Sequence, residues 1–263
     1  VKKFFAFCSA HLQNTYAARG ERLVWVFIDA IPAFSMLQLW GYMERTGRMS
    51  PEQTAHLSVY YIMTLVISRL TSCHFEDWLT KDIRDGKMSV VFVRPIAYPV
   101  FLIAGELMWR LTGMLYLIPL FFVLGIKISY LNLLVFDGAT YGIIALALVI
   151  SFFIRFLMSW MISLAAFWID EATFLSHFKW GLEGFLGGYW LPLMFMPAQI
   201  QTLAMYSPFY LWYYVPIQLL TGNIRWQETG IHIGVGIVWL IVCAGASWML
   251  WKQAIKKYSA VGG

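Results

Sequence analysis

Cys73-His74-Phe75-Glu76-Asp77-Trp78-Leu79-Thr80-Lys81-Asp82-Ile83-Arg84-Asp85-Gly86-Lys87 is the densest run of charge in a chain that is otherwise mostly apolar. The acids Glu76, Asp77, Asp82 and Asp85 alternate with the bases Lys81, Arg84 and Lys87. Phe75, Trp78, Leu79 and Ile83 recur at helical spacing and share one stripe. Acids open the run and bases close it, as the helix dipole favours. Gly86 is placed to end the helix, and Arg94-Pro95 prevents a new one from starting before the next apolar stretch. The pattern predicts a short amphipathic helix over 73–87, lying at a membrane surface between two spans.

Composition agrees with that setting. Of 263 residues, 60% are hydrophobic, 18% aromatic and 13% charged, where a soluble domain carries roughly 25% charge. Long uncharged runs mark a polytopic helical membrane protein. The alternating ten-residue strands of a membrane barrel do not occur. The net charge of +5 follows from bases at span ends and does not call for nucleic acid. Cys8, Cys73 and Cys243 are too scattered for a disulfide framework or a metal site. The first apolar patch is short and lacks a small-residue cleavage site after it, so no cleavable signal peptide is expected.

Outward from the charged helix, the chain divides into six expected spans: Leu23–Met43, His56–Ser72, Tyr98–Ile126, Gly138–Ile169, Trp180–Met196 and Gly230–Trp251. Span four, at over thirty residues, exceeds the roughly twenty needed to cross and is expected to tilt. Residues 1–22 precede them. Val1, Phe4, Phe5, Cys8, Leu12 and Tyr16 fall on one helical face, with Lys2, Lys3, Ser9, Gln13 and Asn14 opposite, which predicts an interfacial helix with its lysines near anionic headgroups. The stretch 198–222 is apolar but broken by Pro208 and Pro216 and rich in Trp and Tyr. A re-entrant hairpin dipping into the outer leaflet, its loosened backbone shielded by protein or facing a cavity, fits it better than a span.

Six spans put both termini on one side. That side then carries Lys2, Lys3, Arg19, Arg22, Lys81, Arg84, Lys87, Arg94, Lys179, Lys252, Lys256 and Lys257, against Arg45, Arg48, Lys127 and Arg225 opposite. The bias makes both termini and the charged helix cytoplasmic, and the hairpin extracytoplasmic. Asp29, Glu106, Arg110, Arg155 and Glu183 fall inside spans, where charge is costly and faces protein or water. Glu106 and Arg110 stand four apart in the acid-first order that pairs best. Arg155 needs a partner, with Glu106, Asp29 and Glu183 as candidates. Gly181, Gly184, Gly187 and Gly188 permit close helix approach. The five histidines lie at span ends and do not cluster, so no metal site is expected.

The order of these parts resembles bacterial ABC exporter permeases of the type-2 (ABC-2) class with six spans. Asp82-Ile83-Arg84-Asp85-Gly86-Lys87-Met88-Ser89 followed by Arg94-Pro95-Ile96-Ala97-Tyr98-Pro99 carries the resemblance. So does Ser207-Pro208-Phe209 through Tyr213, Tyr214-Val215-Pro216 and Leu220-Thr221-Gly222. The resemblance implies an all-α permease in the bacterial inner membrane. It would pair with a second copy or a sister permease and be driven by separate ATPase subunits that carry ATP and Mg. Phe75, Glu76, Asp77, Trp78, Leu79, Asp82, Ile83, Arg84 and Asp85 would then form the coupling helix, with Phe75, Trp78, Leu79 and Ile83 available to dock the ATPase. This chain has no P-loop of its own, so no cofactor is expected in it. The sequence does not name the cargo: wide aromatic surfaces and the outer hairpin suit amphipathic or lipid-linked molecules, with antibiotics, peptides and polysaccharides equally open.

Two other classes compete. An ion-coupled secondary transporter would use Asp29, Glu106 and Arg155, though the paired broken helices of an inverted repeat are not evident. A lipid-acting membrane enzyme would need a catalytic spacing, and no nucleophile elbow is present.

Overall fold

The computed structural model describes residues 5, 8–13, 19–88, 97–123, 132–134, 137–169, 171–224 and 226–258. Its main helices are α1 Arg19–Arg45, α2 Pro51–Thr71, α3 Glu76–Arg84, α4 Tyr98–Val123, α5 Gly138–Ala165, α6 Thr173–Leu186, α7 Ala198–Met205, α8 Tyr214–Leu220 and α9 Trp226–Lys257. No strand occurs among the described residues, and the fold is all-α. Four helices among them are long and apolar enough to cross a membrane: α1, α4, α5 and α9, over Leu23–Arg45, Tyr98–Phe121, Gly138–Ala165 and Glu228–Lys257.

The helix α2 has the length, 21 residues, or about 31 Å, but not the apolar character. Its environment explains this. It packs against α1, α4, α5 and α8, so little of its surface must suit lipid. The hydroxyls of Thr54, Thr64 and Thr71 are buried or half-buried and donate to the carbonyls four residues back. Ser50 starts α2 with a capping box, accepting from Gln53 N (3.2 Å) while Gln53 Oε1 accepts from Ser50 N (3.1 Å), which satisfies two otherwise orphaned donors.

α5 is the hub. It packs on α9, α3, α2, α8 and α6. Asp137 caps it, accepting from Thr140 N at 3.2 Å. The expected extension of span four to Ile169 is not helical: α5 ends at Ala165, where Ala166 N turns to Ser163 O (3.2 Å) and a tight turn follows. By contrast α4 and α9 turn Leu111, Leu115, Ile118, Ile241 and Val242 outward, as helices do where lipid is the solvent.

The expected fifth span, Trp180–Met196, is corrected. α6 begins at Thr173, runs 14 residues, about 21 Å, and stops at Gly187. That falls short of the ~30 Å hydrocarbon core. Gly188 takes φ +81°, a left-handed turn suited to glycine, and its carbonyl accepts from Tyr60 Oη at 2.9 Å.

The hairpin at 198–222 is two short helices, α7 and α8, with a 3-10 turn at Pro208–Leu211 between them. It folds back into the bundle. Phe209, Leu211, Trp212, Tyr213, Pro216 and Ile217 are buried. Ser151 Oγ in the middle of α5 donates to the Leu211 carbonyl (2.8 Å), and Trp239 Nε1 in α9 donates to that of Tyr206 (2.8 Å). Gly222, at φ +71°, ends the hairpin.

Of the expected interfacial helix, Cys8–Gln13 are helical, and the His11 ring lies 4.8 Å from that of Phe101. Residues 1–4, 6–7 and 14–18 of that helix lie outside the described residues, as do 89–96 with the Arg94-Pro95 element.

Candidate functional site: a charged cavity beside α3

Where α2 ends, the chain must satisfy its last carbonyls without water. Ser72 and Cys73 lie there, and three cations converge on them. Arg110 donates to the Ser72 carbonyl and meets Cys73 Sγ at 3.0 Å. Arg155 donates to Ser72 Oγ at 2.9 Å. Lys179 Nζ reaches the Cys73 carbonyl at 3.3 Å and Ser159 Oγ at 2.9 Å. The negative end of the α2 dipole adds to the attraction.

Each of these cations has its own acid. Arg155 Nη2 meets Glu183 Oε1 at 2.9 Å, Arg110 Nη1 meets Glu106 Oε2 at 3.1 Å, and Lys179 pairs with Glu76. A fourth pair, Asp29–Arg69, joins α1 to α2. Arg155 is 2% exposed. Its guanidinium lies over the rings of Trp212 (4.4 Å) and Tyr213 (4.5 Å), and Tyr213 Oη donates to Glu183 Oε1 at 2.5 Å. The hairpin is therefore held to the bundle core through Arg155. Along α5 the residues Ser151, Arg155, Ser159 and Ser163 form one buried polar stripe at spacing four. The first holds the hairpin and the third holds the lead into α3.

Beside this network opens a cavity of about 810 Å³ between α1, α2, α4 and α6. Its wall includes Asp29, Arg69, Asp77, Glu106, Arg110 and Glu183, with the aromatic rings of Trp25, Trp78, Phe101, Trp109, Trp180, Tyr189, Trp190 and Tyr213. It extends from α3 to the hairpin. The arrangement can hold an amphipathic guest.

The chain matches, over residues 31–262, the family described as ABC-2 family transporter protein. It belongs to the ABC-2 transporter family. No curated protein matches it.

In this ABC-2 protein the expected coupling residues divide between two faces of α3. Phe75, Leu79 and Ile83 pack inward on Phe152, Phe156 and their neighbours in α5, and Glu76, 0% exposed, is tied to Lys179. The stripe expected to dock a partner is turned into the core, because lipid and protein outcompete water for three adjacent apolar side chains. Trp78 departs from it, at 46% exposed. Lys81, Arg84 and Asp85 are exposed and Asp82 half-buried on the outer rim. Lys87 bonds both Asp82 and Asp85 at 3.0 Å and holds the Asp85 carboxyl below the usual carboxylate range. Asp77 faces the cavity.

All five expected intramembrane charges are ion-paired. Arg69 and Lys179 complete the set and were not expected. Both stand near the ends of apolar runs, where a base reads as a flanking charge. For Lys179 the signal available in the sequence was the stripe Ser151, Arg155, Ser159 and Ser163, whose Ser159 it meets.

Proposed function

We propose that the chain is the membrane permease of an ATP-driven exporter. Two copies, or one copy and a sister permease, form the path, and separate ATPase subunits drive it through α3. Family membership supports a transmembrane transport component. The observation that carries the finer reading is α3 itself. It is a nine-residue helix whose inner face is built into α5 while Lys81, Arg84 and Asp85 are exposed on its outer rim. A charged rim carrying an exposed arginine suits a protein cleft, since arginine is among the residues that dominate interface energetics.

The test is purification from the native membrane in mild detergent. An ATP-binding subunit co-purifies with the wild type and is lost in Lys81→Glu/Arg84→Glu, whose substitutions spare both the buried face and the cavity wall. If no ATPase accompanies the wild type, the reading fails. The ion-coupled alternative gains nothing from the geometry: Asp29, Glu106 and Arg155 are each engaged by a counter-charge.

A further inference from the structure

The ion pairs around the cavity leave one acid over. Asp29 is matched by Arg69, Glu106 by Arg110, and Glu183 by Arg155 from behind. Asp77 also lines the space, in the first turn of α3. Asp77 is half-buried: its Oδ1 is enclosed without a hydrogen-bond partner among the described residues, and the accessible remainder of the side chain is what a guest in the cavity would meet. A partly desolvated carboxylate with no counter-charge beside an apolar wall favours a cation as its neighbour. On the same wall Trp180 Nε1 is buried and also lacks a partner among the described residues.

The rest of the wall is suited to supplying a cation's surroundings. Trp25, Trp109 and Trp180 line the chamber, and indole faces attract cations, most strongly where water is excluded. The volume, about 810 Å³, falls in the range of sites that enclose drug-sized ligands, roughly 300–1,000 Å³. Compact inorganic cations would leave most of that apolar wall empty, and an anion would meet a wall whose guanidinium groups are already paired and whose remaining charge is the Asp77 carboxylate.

We infer that this cavity binds amphipathic organic cations, with Asp77 as counter-charge and the tryptophans as the apolar wall. The inference rests on the transporter reading and names the cargo class of that same site. Asp77 thereby serves the cavity and not the outer rim of α3. A guest at Asp77 sits against the helix that the outer rim drives, so occupancy and drive meet on one element.

The test uses two probes of nearly the same shape and opposite charge, tetraphenylphosphonium and tetraphenylborate. Binding of each to the purified full chain in neutral detergent is followed by equilibrium dialysis. Tetraphenylphosphonium binds saturably, and tetraphenylborate neither saturates nor competes with it. Asp77→Asn weakens the phosphonium at least tenfold with an unchanged melting temperature, while Glu52→Gln, exposed at the other end of α2, leaves it unaltered. Trp109→Leu provides a second variant that keeps the carboxylate and lowers affinity severalfold. Equal binding of both probes, no saturable phosphonium binding, or full phosphonium affinity in Asp77→Asn overturns the inference. The measurement needs no ATPase, so such a failure leaves the exporter reading to be decided by co-purification alone.

Discussion

Arg155 is the costliest residue to place and the most firmly held. Its charge is matched by Glu183, its second nitrogen by Ser72 and its face by two rings. Removing one partner of a buried pair is worse than removing both, because it strands the other charge. Glu183→Ala is expected to destabilise the protein by about 3–5 kcal/mol, read as a lower melting temperature in detergent. Arg155→Met/Glu183→Leu recovers most of the loss. A Glu183→Ala melting temperature equal to wild type would contradict the pairing. The sequence revealed the cost but not the match: Glu106–Arg110 was legible because both stand on one helix, four apart. Glu183 lies 28 residues from Arg155, and only the packing of α6 on α5 brings them together. The Glu76–Lys179 pair spans 103 residues and was invisible for the same reason.

At the scale of elements, α6 and the turn after it set the shape of the cavity wall. Hydropathy reads straight through Trp180–Met196 because it counts apolar side chains and not backbone geometry. Gly187-Gly188 and Pro192 were the stop signals. A Cβ on Gly188 would stand 2.5 Å from Tyr60 Oη, on a backbone that L residues avoid by roughly 1–2 kcal/mol. Gly188→Ala therefore lowers the melting temperature. Tyr60→Phe lowers it less, by the order of one hydrogen bond, ~1 kcal/mol. The double variant loses less than the sum, since the two share one contact. The amphipathic stripe of α3 was legible and its direction was not: periodicity says which residues share a face, and packing says what that face meets. In the hairpin the prolines marked a break in the span, while its depth came from Ser151 and Arg155, which lie elsewhere in the chain.

At the scale of the whole molecule, the all-α class and the apolar helices α1, α4, α5 and α9 followed from composition. With α6 too short to cross alone, both termini share a side only if α6 and the hairpin together carry the chain across; this expected orientation rests on the distribution of Lys and Arg and is open to direct measurement. In sealed vesicles, Lys81→Cys on the rim of α3 reacts with a membrane-impermeant maleimide only from the cytoplasmic face. Asn223→Cys, exposed beyond the hairpin, reacts only from the other. Leu79→Cys, in the core, reacts from neither. Cys8, Cys73 and Cys243 are buried, so background labelling is low. Labelling of Lys81→Cys and Asn223→Cys from the same side would contradict the topology.

The inward stripe of α3 has a mechanical meaning. Phe75, Leu79 and Ile83 are lodged in α5, and Tyr258 Oη of the segment after α9 is bonded to the Gly86 carbonyl at 3.0 Å, so the short helix is tied to the bundle along its face and at its end. A push on its rim is a push on α5, and the hairpin hangs from the same helix two turns away, at Ser151. Both ends of the machine turn on one shaft.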